Sequence, residues 1–142
     1  MTFPKIIDLQ RKVSLAGNDF STFVDLCRQT AKLGDAFFTV AFVSDRRMKE
    51  LNSVFRGKDT TTDVLSFPHE PDEFDPDKDN LGDIVISAEQ AKKQAEENGL
   101  TLENEIKQLI LHGLLHLCGY DHETDDGEMN ARELELRDKL QI

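Results

Sequence analysis

The chain has 142 residues, of which 38% are hydrophobic and 32% charged, and a net charge of -11. That length predicts one domain, residues 1–142, around a single core; no Gly/Ser linker or internal repeat divides it. The longest apolar run is too short to cross a bilayer, and Met-Thr-Phe-Pro-Lys-Ile-Ile-Asp has neither the basic nor the apolar region of a signal peptide, so a cytoplasmic protein without membrane association is expected. The acidic balance argues against indiscriminate coating of nucleic acid.

Taken in order, Phe3 to Leu9 predicts a short first strand, with β-branched Ile6 and Ile7. Phe20, Phe23, Val24, Cys27 and Ala31 recur at steps of three and four, predicting a helix capped by Asn18 or Asp19 and stopped by Gly34. Phe37 to Val43 is an apolar run suited to a strand buried on both faces. A short helix ending near Gly57 follows, with Met48, Leu51 and Phe55 as its core stripe. Arg46, Arg47, Lys49, Arg56 and Lys58 crowd this stretch against the single acid Glu50. Such a patch on an acidic body suits a local phosphate contact, or is simply the solvated face of the helix.

Asp63 to Pro68 predicts a second short strand that Pro68 terminates, and Glu70 to Asn80, rich in acids and proline, a solvated loop without EF-hand spacing. Leu81 to Ser87 resumes the strand pattern, giving one hairpin across the acidic loop. Ser87 and Gln90 form a capping box for the next helix, which Gly99 closes. Thr101 then caps a helix from Leu102 to Cys118 that is apolar nearly all round, as expected at the centre of a small domain. Met129, Leu136 and Leu140 line one face of an acidic closing helix. The sum is an α+β domain: a small mixed sheet covered by helices.

The chemistry concentrates in His112-Gly-Leu-Leu-His116-Leu-Cys-Gly119-Tyr-Asp-His122. On a helix His112 and His116 share one face, and Gly119, as a left-handed C-terminal cap, turns the chain so that His122 swings back to them. Three neutral imidazoles suit zinc or another divalent ion, one per chain, with a fourth position open. Cys118 points away from that face and reads as a buried thiol; Cys27 and Cys118 make no disulfide framework. The spacing is that of the metzincin peptidases, except that Gly113 stands where they carry the Glu general base. Gly113 implies either a close approach of strand or substrate beside the metal or tight helix-to-sheet packing. Asp121 is placed either to orient a histidine or to cap the helix end.

Three blocks, Asn52 to Pro68, Leu81 to Ser87 and His112 to His122, closely resemble the YbeY family of bacterial endoribonucleases in order and spacing. The resemblance implies a small, mostly parallel four-stranded sheet with a zincin-like metal helix. It also implies a metal-dependent, single-strand-specific ribonuclease that matures the 3′ end of small-subunit ribosomal RNA and serves ribosome quality control. Zinc would be bound by His112, His116 and His122, and Arg56 would serve catalysis; on its residue alone, Arg56 could equally hold a structural salt bridge. The expected chemistry is attack by metal-activated water on a phosphodiester, with Arg56 opposing the phosphoryl charge. The small ribosomal subunit or its proteins would deliver the RNA. Two other readings remain at this point, a metalloprotease-like amide hydrolase and a non-enzymatic ribosome-assembly factor with a structural metal.

Overall fold

The computed structural model describes residues 4–70, 74–76 and 78–142. Phe3, expected to open the first strand, and Pro71, Asp72, Glu73 and Asp77 of the expected acidic loop lie outside the described residues. Among those described, the order is β1 (Ile6–Asp8), α1 (Phe20–Thr30), β2 (Phe37–Val43), α2 (Asp45–Arg56), β3 (Val64–Pro68), β4 (Asn80–Ser87), α3 (Ala88–Asn98), α4 (Leu102–Leu117) and α5 (Glu128–Leu140). The four strands form one sheet in the order β1-β2-β4-β3. β1, β2 and β4 run parallel, and β3 returns antiparallel on β4, which is the expected hairpin. No helix of the described residues is long and apolar enough to cross a membrane.

The sheet is covered unequally. Phe38, Val40, Phe42, Ile84 and Ile86 face α1 and α4 in the main core, where Phe23, Val24, Ile106, Ile110 and Leu114 meet them. Val43, Leu65 and Val85 face the other way and are covered by Met48 of α2. α5 closes the far side of α4 through Met129 and Leu136 against Leu111 and Leu115. α4 therefore has apolar partners on two sides, as its all-round apolar sequence requires.

Caps follow the sequence at most ends. The side chains of Asp19, Ser44, Ser87 and Thr101 accept N–H groups from the first turns of α1, α2, α3 and α4. α1 departs from expectation by stopping at Thr30, ahead of Gly34. Lys32 takes the left-handed position, and Leu33 N–H reaches Arg28 C=O at 3.0 Å.

Two expected core positions are not core. Phe55 is 62% exposed, because the last turn of α2 overruns the edge strand β3, beyond which there is no further strand to bury it. The buried stripe of α2 is Met48 and Asn52 instead, and Asn52 Nδ2 donates to Thr60 C=O at 2.9 Å. Cys118 is exposed, since α4 ends one residue earlier and the chain turns outward there. Cys27 is the buried thiol, and burial pushes its pKa up to about 12.

Candidate metal centre

α4 carries His112 and His116 one turn apart, with ring centroids 4.9 Å from each other. After Leu117 the helix ends in a paired-carbonyl turn: Gly119 N–H donates to His116 C=O at 3.0 Å and Tyr120 N–H to Leu115 C=O at 3.1 Å. Gly119 sits at φ +97°, a conformation that a side chain would strain. The turn brings the ring of His122 to 5.7 Å from His112 and 5.5 Å from His116. One nitrogen from each of the three rings lies within 4.8 Å of the others, and Cys118 is not part of the group.

Two of the rings have their tautomers set from behind. Glu133 Oε1 lies 3.0 Å from His112 Nδ1, and Tyr120 C=O lies 3.1 Å from His116 Nδ1. A carboxylate and a carbonyl can only accept, so both Nδ1 atoms are donors and both Nε2 atoms are left as acceptors for a cation. Burial lowers the pKa of His116, and the neighbouring His112 and His122 lower it further, which favours the neutral imidazole that a metal needs. Burial pushes Glu133 up, but the hydrogen bond and charge of His112, with Arg137 and His116, leave it below the ordinary carboxylate range. It therefore stays ionised behind His112. This donor set fits a divalent ion held by three imidazole nitrogens.

Glu133 is not among the site residues expected from the sequence, although the chain carries a signal for it. Met129, Glu133, Leu136 and Leu140 are spaced by four, three and four, so the acid stands on the apolar stripe of α5. A charged residue at a stripe position is buried beside something that neutralises it. Asp121 does neither of the things expected of it: its Oδ1 accepts Glu123 N–H at 3.0 Å and its C=O accepts Thr124 N–H at 3.2 Å, ordering the turn that holds His122.

The rings open on a cleft of about 640 Å³ whose other wall is the stretch from Arg56 to Pro68. A cleft of equal volume beside β1 and α1 holds no histidine, so size alone does not locate the chemistry. Arg56 and Lys58 line the cleft from the end of α2 and the loop after it. Among the described residues no carboxylate lies within ion-pair distance of Arg56, so the salt bridge it could have formed is not made. The expected basic patch is thus divided. Arg46 and Arg47 pair with Glu50, Lys49 lies 3.9 Å from Asp59, and all three side chains stand in solvent away from the cleft lining.

Two hydrogen bonds anchor the loop between α2 and β3: Asn52 to Thr60, and Thr61 Oγ1 to Asp45 Oδ1 at 3.0 Å. β3 then presents its open edge to the cleft. Ser87 N–H to Asp63 C=O and His69 N–H to Leu81 C=O fix which residues bond to β4. By alternation Leu65 and Phe67 also face β4, while Val64, Ser66 and Pro68 turn their backbone outward. Val64 N–H is taken by Asp63 Oδ1 at 2.7 Å and Pro68 has no N–H, so Ser66 N–H is the outward donor on this edge.

Packing explains Gly113. A Cβ there would lie 2.7 Å from Ile84 Cγ2 and 3.2 Å from Ser66 Oγ, and Ser66 Oγ donates to Gly113 C=O at 3.0 Å. The strands fill the space in which a peptidase carries its glutamate.

The family model for endoribonuclease YbeY matches residues 7–141. An endoribonuclease YbeY from Nautilia profundicola is 54% identical over 110 residues, covering 78% of this chain and 76% of that one. One from Koribacter versatilis is 42% identical over 138 residues, covering 96% and 86%. A solution structure from Thermotoga maritima superposes with a TM-score of 0.55 at 32% identity, over 92% of this chain and 85% of that one. The matched span runs from β1 through α5, and so takes in the imidazole group, its supporting glutamate and the arginine opposite: the chain belongs to the YbeY endoribonuclease family.

Proposed function

We propose that the chain is a zinc-dependent endoribonuclease that cuts single-stranded RNA, acting as one domain over residues 1–142 in the cytoplasm. The observation that carries this reading is the pairing across one cleft of a three-imidazole group with an arginine that has no carboxylate partner among the described residues. His112, His116 and His122 would hold the ion. Zinc held there would supply Lewis acidity for activating water and polarising a phosphoryl oxygen.

The chain's own groups do the rest. The Nδ1 hydrogen bonds to Glu133 and Tyr120 keep two rings aimed at the ion and in the required tautomer. Arg56 donates its planar fork to the non-bridging phosphoryl oxygens and opposes the charge that grows on them. Lys58 adds positive potential to the same wall. The net charge of -11 disfavours indiscriminate phosphate binding over the rest of the surface.

The substrate class comes from the relatives, which are named endoribonucleases. Within it, maturation of the 3′ end of small-subunit ribosomal RNA and ribosome quality control, with the small subunit or its proteins presenting the RNA, follow from the family resemblance. The test is cleavage of a labelled single-stranded RNA and its duplex by protein stripped with chelator and then given zinc or other divalent ions. Cleavage of the single strand that is lost on stripping and restored best by zinc is expected. Unaltered cleavage by fully stripped protein, or hydrolysis of a peptide but not of RNA, would overturn the reading.

A further inference from the structure

Val54 and Phe55 are left 76% and 62% exposed on the last turn of α2. Their position relates them to the cleft. Phe55 directly precedes Arg56, and its ring rests against Phe67, which lies between Ser66 and Pro68; Arg56, Ser66 and Pro68 all line the cleft. The two rings meet edge to face, with centroids 5.1 Å apart and planes at 75°. That contact holds the Phe55 ring beside Phe67 on the face of β3 turned away from α4, across the open strand edge from the cleft, while most of its surface stays in water.

The surroundings decide what could cover it. This apolar pair is small and is followed in the chain by Arg56 and Lys58, both on the cleft wall, so a purely apolar partner reaching them would bury cations without compensation. A ligand carrying flat aromatic groups on an anionic chain matches both features. Unpaired nucleotides have that chemistry, since every base has a π face and each is joined to phosphate. A duplex keeps its bases stacked on one another and has no such face to offer.

We propose that Phe55 is a stacking platform for one unpaired base of the substrate strand, placed so that the adjoining phosphate reaches Arg56 as the strand crosses the open edge of β3. The proposal rests on the ribonuclease reading and extends it: the ring would contribute to the preference for single strands. Because Phe55 contacts neither the reacting phosphate nor the histidines, it affects binding and leaves the chemical step alone.

The chain has no tryptophan, so a Phe55→Trp variant places a single fluorophore on the platform. With zinc-loaded protein, oligoadenylate should quench that fluorescence saturably. Phe55→Ala should raise KM for oligoadenylate roughly 5- to 150-fold, the range that loss of one base stack implies, with kcat near wild type. Fluorescence that saturating oligoadenylate leaves unchanged, or an unaltered KM in Phe55→Ala, would overturn the platform. If wild type binds oligoadenylate without cleaving it, the nuclease reading fails, while quenching still decides the stacking site.

Discussion

The two walls of the cleft are held by different means. The imidazole wall is built from the inside: α4 is packed on the sheet and on α5, and Glu133 and the Tyr120 carbonyl fix two rings from behind. The cationic wall is an exposed helix end and a loop, anchored by Asn52 and Asp45, and among the described residues no carboxylate pairs with its guanidinium. A ligand must be preorganised to hold an ion against water, whereas a group that meets charge only as the phosphate reacts must remain accessible. Changes on the first wall should therefore remove the metal, and changes on the second should slow the reaction with the metal in place.

The largest effect expected is from His116→Ala, which removes a proposed ligand together with the Tyr120 contact. Metal content should fall well below one ion per chain, and RNA cleavage should drop to background. Undiminished cleavage at full metal content would dissolve the distinction between the walls. Arg56→Ala comes next. It should lower kcat by roughly 100- to 1,000-fold, the cost of deleting one transition-state donor. Metal content and melting temperature should match wild type, and Arg56→Lys should recover only part of the loss, because an ammonium lacks the planar fork. Loss of metal in Arg56→Ala would show that the arginine belongs to the other wall.

Glu133→Gln tests the imidazole wall from behind. The amide can still accept from His112 Nδ1 but lacks the charge, so metal affinity should weaken by about 10- to 100-fold. A competing chelator measures this directly, and excess zinc should restore cleavage. Failure of excess zinc to restore the rate would move Glu133 from positioning the ligand to the reaction itself.

How far these walls could be read in the sequence follows from the range of the forces that build them. The i, i+4 histidines and the glycine turn depend on contacts within a few residues, so His112, His116 and His122 were legible, as were most caps and the β3–β4 hairpin. Glu133 lies 21 residues from its histidine, and only its intrusion on an apolar stripe betrayed it. Phe55 fitted the period of α2, yet burial depends on where the sheet ends, which periodicity does not encode. Cys118 is exposed for a different reason, the end of α4 one residue before it, which helical periodicity does not encode either. For Gly113 two readings were open, and the approach of Ile84, distant in sequence, decided between them.

The smallest effect expected separates the walls by pH. Asp45 accepts from Ser87 Oγ at 2.6 Å, from Gln90 Nε2 at 2.8 Å and from Thr61 Oγ1, tying α3 and the loop after Arg56 to the start of α2. Burial alone would raise its pKa, but the bonds from Ser87, Gln90 and Thr61 outweigh burial and hold it below the ordinary 3.8. A carboxyl whose folded pKa is depressed adds stability above its unfolded pKa, and that stability is lost as pH falls through the folded value. Asp45→Asn should thus melt below wild type at neutral pH, and the gap should close below about pH 4 as wild-type Asp45 takes up its proton. If Asp45 anchors only the cationic wall, amide exchange at residues 57–62 should quicken in Asp45→Asn at neutral pH while α4 keeps its protection. Equal quickening in α4 would mean that one cooperative unit carries both walls.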